Sequence, residues 1–277
     1  MKIAKEDVEK FRTHLIEEEK EPGTVGLYLS VVEQFMAFLQ GQEVSKERVL
    51  AYKALLIDRY APATVNSKLG TINLFLRFCN QTDACVRRLR IQRQFYLPEE
   101  KRMGYEDYTH LVNEAEKQGD RRLALCLQIL CATGIRVGEL PFVTVEAAKR
   151  GRAEVYYKGK SRVILMPESL CQKISAYAAR EKITAGPVIR SATGRPLDRT
   201  SIWRQMNRLC IEAGISAGKG HPHALRHLFA VTYYQANRDP IGLADLLGHS
   251  SIDTTRIYTA TGGEEKARQL EKMGLVL

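Results

Sequence analysis

Four short segments of this 277-residue chain hold the side chains that could do chemistry. ATGIRVGEL carries Arg136 and, three residues on, Glu139; YYKGKSRVILMP carries Lys158 and Lys160 at a turn. HPHALRHLFA carries His223 and Arg226, and LGHSSIDTTRIYT carries His249 and Tyr258. Singly, each has a plain structural reading: an i,i+3 ion pair for Arg136 and Glu139, turn lysines, a capping histidine, a core tyrosine. Together they surround one hydroxyl with two guanidiniums, a lysine and two imidazoles, and they include no carboxylate pair to hold a metal. That set suits metal-independent attack on a phosphodiester. Arginine binds non-bridging oxygens bidentately and offsets the charge that builds up in the transition state. A tyrosine hydroxyl, whose pKa is ordinarily near 10, becomes a nucleophile when a base and nearby cations assist it. The leaving 5′-oxygen needs a proton, which a hairpin lysine can deliver.

The elements must bring these segments to one point. His223 and Arg226 stand at i and i+3, hence on one helical face. His249 and Tyr258 are nine residues apart, so a single continuous helix would turn them to opposite sides. A break at Ser250-Ser251, with Ser251 as N-cap, would let both converge. The hairpin is read from AEVYYKG and SRVILMP flanking a tight glycine turn, with FVTVE as a third strand. Helices are expected at about 105–118 and 121–134, then at 167–182, 198–213, 223–236, 240–247, 252–260 and 264–273.

The first hundred residues predict four helices, with Ser45 capping the third. The second and fourth repeat one another at an offset of forty: Pro22/Pro62, Thr24/Thr64, Val25/Val65, Leu29/Leu69, Val32/Ile72, Phe35/Phe75 and Phe38/Phe78. Two copies are too few for a solenoid and fit two equivalent helices of one bundle. Their Pro-x-Thr starts, at Thr24 and Thr64, would present backbone N–H groups to phosphates. A basic run follows, with Arg87, Arg88, Arg90 and Arg93 in CVRRLRIQRQFYLPEEKRM. It shows no amphipathic period and reads as a connector able to lie along a phosphate backbone.

Composition narrows the class. Residues 1–100 hold 15 basic and 14 acidic side chains, whereas the remainder holds 27 and 18, so +9 of the net charge of +10 sits in the second part. A basic surface of this kind favours a polyanion. The strongest apolar window, LALCLQILCA, is ten residues long, well short of the roughly 20 that span a bilayer. The opening MKIAKEDVEK lacks the apolar run of a secretory signal. Six cysteines without a CxxC pair read as reduced thiols in a cytoplasmic protein.

TGIRVGEL, KGKSR, HPHALRHLFA and LGHSSIDTTRIYT, in this order and at these spacings, resemble the tyrosine recombinase (phage integrase) family, in the layout of Xer recombinases and transposon integrases. The resemblance covers nearly the whole chain. It implies a mainly α fold with a small antiparallel β-sheet (α+β). Residues 1–95 would be a four-helix, SAM-like core-binding domain, 96–102 a linker, and 103–277 the catalytic domain. Arg136 and Arg226 would clamp the scissile phosphate, with Glu139 steadying Arg136. His223 would act as general acid/base or orient the nucleophile, and His249 would hydrogen-bond the phosphate. Tyr258 would form a 3′-phosphotyrosine and release a 5′-hydroxyl. Where the family often reads GKGxKxR, this chain has one residue fewer, so matching KG to KG selects Lys158 as the acid while a shifted gap selects Lys160.

No cofactor or metal is implied, because the covalent bond would conserve the phosphodiester's energy. The partners implied are double-stranded DNA with inverted-repeat core sites and further copies of the chain: a dimer on each site and a tetramer in the synapse. An accessory or directionality factor is a further option. GGEEKARQLEKMGLVL would dock on a neighbouring protomer, and the location would be cytoplasmic, at the nucleoid. Three rivals stand beside this reading: a type IB topoisomerase-like nicking-closing enzyme, a non-catalytic DNA-binding relic, and a metal hydrolase using His223 and His227 at i,i+4.

Overall fold

The computed structural model describes residues 3–91, 102–157, 160–248, 255 and 271–273. Lys158, His249, Tyr258 and Arg93 lie outside this set, as do the Ser250-Ser251 break and the helices expected at 252–260 and, up to residue 270, at 264–273. The chain divides into two compact units, Met1–Arg93 and Gln94–Leu277.

In the first unit four helices form a bundle: α1 (Lys5–Glu17), α2 (Pro22–Leu39), α3 (Lys46–Arg59) and α4 (Pro62–Phe78). The repeat at an offset of forty is structural. α2 and α4 pack against each other, and Val25/Val65, Leu29/Leu69, Val32/Ile72 and Phe35/Phe75 are all buried. Proline at the first helical position pre-sets φ and gives up an N–H that no helical carbonyl would have taken. Ser45 caps α3 by accepting from the Arg48 amide at 3.4 Å. Thr24 does not present an open amide, since its N–H donates to the Glu21 carbonyl at 2.8 Å.

The basic run departs from the connector expected of it. Cys85–Leu89 is bound to the bundle by two asparagines of α4 placed two turns apart. Asn73 accepts from the Val86 amide (3.0 Å) and donates to its carbonyl (2.8 Å). Asn66 does the same for Leu89 (2.7 and 2.9 Å). Each amide side chain thereby stands in for a neighbouring β-strand. Val86 is buried in the bundle core while Arg87, Arg88 and Arg90 stay exposed. Sequence periodicity cannot show a segment held by side-chain amides rather than by its own pattern.

The second unit is built around α6 (Arg121–Thr133), apolar on nearly every side and packed by α5 (Tyr105–Lys117), α8 (Glu168–Arg180), α9 (Arg199–Glu212) and α10 (Pro222–Asn237). A helix apolar all round belongs in the middle. Truncating its fully buried Leu127 to Ala would cost about 2–5 kcal/mol. Antiparallel strands β1 (Arg152–Tyr157) and β2 (Lys160–Leu165) form the sheet, with Tyr157 opposite Lys160 and Val155 opposite Arg162. The two-strand sheet and the helices around it make the fold mainly α with a small antiparallel sheet.

FVTVE is not a third strand. Phe142 ends a 3-10 segment (Val137–Phe142), and Thr144 makes one isolated bridge to Pro187. Thr144 then caps α7 (Val145–Arg150) by accepting from the Ala147 amide at 3.1 Å. The β-branched residues suggested a strand, but the threonine cap took the chain into a helix. All six cysteines are free thiols.

Candidate active site

Gly134 starts the site. It ends α6 in the left-handed region at φ +61°, and the chain turns sharply to Arg136, which caps the 3-10 segment. The Arg136 amide donates to Glu139 Oε2 at 2.8 Å, and its Nη1 reaches Oε1 at 3.2 Å. This is not a surface ion pair: the Glu139 side chain is 3% exposed, against 38% for Arg136. Burial alone would push the Glu139 carboxyl up. Hydrogen bonds from Arg162 and the Arg136 amide, with both guanidinium charges, outweigh burial and hold it below the ordinary glutamate value.

α10 brings the next groups. His221 precedes Pro222 and caps the helix, its Nδ1 accepting from the Ala224 amide at 3.1 Å. Such a cap requires an imidazole unprotonated at Nδ1. Burial depresses the His221 pKa, which agrees with that role. His223 follows on the exposed side of the first turn. Partial desolvation first, then the positive charge of Arg226 and, more weakly, of Arg136 and Arg199, hold its pKa below the usual histidine value, which favours the neutral imidazole near pH 7.

Arg226 is 2% exposed and spans two segments: Nη1 donates to the Gly134 carbonyl at 2.6 Å and Nη2 to the Leu247 carbonyl at 2.8 Å. Arg136 Nη1 also approaches that Leu247 carbonyl, at 3.5 Å. Leu247 is the last residue of α11 (Pro240–Leu247), and Gly248 terminates it in the left-handed region at φ +64°. The helix therefore ends where the sequence expects it, at Leu247, with Gly248 between it and His249. The orphan carbonyls of its last turn are the acceptors that gather the arginines.

One carbonyl thus joins TGIR, HALRH and LGH. Lys160 opens β2 in the same unit, whereas Thr24, Thr64, Arg87, Arg88 and Arg90 belong to the other unit. The residues missed from the sequence are Arg162, His221, Asn66 and Asn73. Two had a signal: His221 stands directly before a helix-starting proline, and Arg162 shares its strand face with the buried Ile164. A cleft of about 720 Å³ opens beside Arg136 and His223, with Arg199, Thr200 and Trp203 on its wall. Among the described residues no cluster of three or more His, Cys, Asp or Glu could hold a metal ion.

A buried cationic centre with an accessible arginine and an imidazole at its mouth is suited to hold a phosphodiester. Comparison with known proteins gives this class a family. The phage integrase family matches residues 101–264. Tyrosine recombinase XerC of Roseiflexus castenholzii is 30% identical, the alignment covering 92% of this chain and 88% of the relative. Tyrosine recombinase XerA of Thermococcus kodakarensis is 27% identical over 97% of each. A solved lambda integrase (residues 75–356) dimer bound to a COC′ core site has the same fold, with a TM-score of 0.77 at 19% identity, covering 95% of this chain and 97% of the other. The chain belongs to the phage integrase family and is a tyrosine recombinase, an enzyme that cuts and rejoins DNA.

Proposed function

We propose that Arg136 and Arg226 grip the non-bridging oxygens of the scissile phosphate, and that Tyr258 attacks phosphorus while His223 takes its proton. The P–O5′ bond breaks, a 3′-phosphotyrosine forms, and the 5′-oxygen receives a proton from Lys158, or from Lys160 if the hairpin gap falls one residue later. His249 donates to the phosphate. The religation step reverses each transfer, so no external energy source enters. The observation that carries this reading is the shared Leu247 carbonyl, which accepts from Arg226 and approaches Arg136 and so holds three of the four motifs together. The depressed pKa of His223 supports the base role over the acid role.

In this reading the first unit is a core-binding domain, with Arg87, Arg88, Arg90 and Arg93 on the DNA backbone and the α4 start at Thr64 near a phosphate. The second unit is the catalytic domain. The lambda integrase of similar fold is a dimer on its core site, and another solved lambda integrase is a tetramer on a Holliday junction. We carry both arrangements to this chain, with inverted-repeat sites and residues 264–277 docking between protomers. Among the described residues no helix is long and apolar enough to cross a membrane, and a nucleoid location follows from the DNA partner.

The test is covalent trapping. Wild type and Tyr258→Phe are incubated in EDTA with nicked duplexes tiled across DNA flanking the gene. A DNA-linked band for wild type alone is expected. A band that persists in Tyr258→Phe would remove that residue as nucleophile. Lys158→Ala and Lys160→Ala on duplexes with a bridging 5′-phosphorothiolate separate the lysines, since only loss of the true acid is rescued by the better leaving group.

A further inference from the structure

Arg162 stands on β2, two residues beyond Lys160, and points into the unit: its side chain is 11% exposed. Its guanidinium makes three contacts. Nε donates to Glu139 Oε1 at 3.2 Å, Nη2 to Glu139 Oε2, and Nη1 to the Leu246 carbonyl at 2.6 Å. The bidentate fork on Glu139 is the strong form of the arginine–carboxylate pair. Space for it is reserved at Gly248, where an added Cβ would lie 2.6 Å from Arg162 Cδ.

Glu139 therefore carries one negative charge between two arginines. Among the described residues the Arg136 guanidinium donates through Nη1, to Glu139 and weakly to Leu247, and the side chain, 38% exposed, lines the cleft. Counting Arg136, Glu139 and Arg162, the group carries a net charge of +1. Without Arg162 the group would be neutral, and Glu139, still buried, would draw its whole compensation from Arg136. The arginine that should meet the phosphate would then turn inward and lose much of its effective charge.

We propose that Arg162 is a positioning residue for strand cleavage: by neutralising Glu139 it leaves the Arg136 fork and charge for the scissile phosphate. It also ties the strand that opens at Lys160 to the end of α11 at Leu246. This rests on the phosphotyrosine reading above, and it gives the third arginine of the site a role in the reaction.

The test compares single-turnover rates of covalent complex formation on nicked duplexes from the gene-flanking set, with duplex affinity measured at the same salt. Arg162→Met should slow cleavage on the order of 10–100-fold with affinity changed less than about threefold. The double variant Arg162→Met/Glu139→Gln restores the +1 balance and should cleave at least about fivefold faster than Arg162→Met alone. A purely structural tether to Leu246 predicts no such recovery, because the tether is missing in both. Wild-type rates in Arg162→Met, or a double variant no faster than the single, would overturn the proposal. If Arg162→Met does not fold, Arg162→Lys decides: it keeps the charge but cannot fork, so it should retain at least about a tenth of the wild-type rate. A lower rate there counts against charge neutralisation. If wild type forms no covalent complex on any duplex, the phosphotyrosine reading fails and takes this inference with it.

Discussion

Gly134→Ala examines the turn on which the site is hung. Gly134 holds φ +61°, and an added Cβ would meet Phe229 Cδ1 at 2.3 Å and Cε1 at 2.8 Å. Placing an alanine in the left-handed region costs about 1–2 kcal/mol. Pushing the ring adds about 1–3 kcal/mol of overpacking, for a total of about 2–5 kcal/mol. For a unit of this size that lowers Tm by about 4–20 °C. The damage does not stop at stability. Phe229 stacks on Tyr233 and packs on the cluster that joins α10 to α11, while the Gly134 carbonyl is the 2.6 Å acceptor for Arg226. Displacing either moves Arg226, the arginine we propose to grip the phosphate. Thermal unfolding followed by circular dichroism, beside single-turnover cleavage, should show both losses. Gly134→Ala/Phe229→Ala removes the clash but not the φ strain, so it should regain cleavage more than stability, since Phe229→Ala itself loses packing. A Gly134→Ala protein with unchanged Tm and rate would refute the reasoning, and so would a double variant with no recovery of cleavage.

Three further outcomes follow from the same structure. Asn73→Ala leaves the buried N–H and C=O of Val86 without partners, at about 1–3 kcal/mol each, and hydrogen exchange at residue 86 should accelerate while that in α6 does not. His227 is pushed down to about 4, by burial first and then by the Arg102 charge, so the unfolded chain binds its proton more readily. Stability should therefore be full above about pH 6.5 and fall toward pH 4 by about 3 kcal/mol from this group, and urea titrations of His227→Gln should show a shallower slope. His221→Asn keeps a helix cap without a titrating ring and should retain stability near pH 7, whereas His221→Ala should lose about 1 kcal/mol by urea unfolding.

The helices up to Leu247, the two hairpin strands and the candidate residues for the chemistry were legible in the sequence, because each depends on local rules. Periodicity of Val25, Leu29, Val32 and Phe35 sets a helix face, Pro22 and Pro62 set helix starts, and residue type alone nominates Arg136, His223 and Arg226 for a phosphate. What the sequence could not contain is which groups meet across long separations. The Leu247 carbonyl carries no side-chain signature, yet it accepts from Arg226 and approaches Arg136 from 111 positions away. Arg162 looked like one more basic residue of a hairpin until register turned it inward against Glu139. The basic run looked unstructured because Asn66 and Asn73, not its own pattern, hold it. Backbone carbonyls and side-chain amides are present throughout any chain. Only the tertiary structure decides which become buried beside a partner, and burial is what turns a common group into a specific contact.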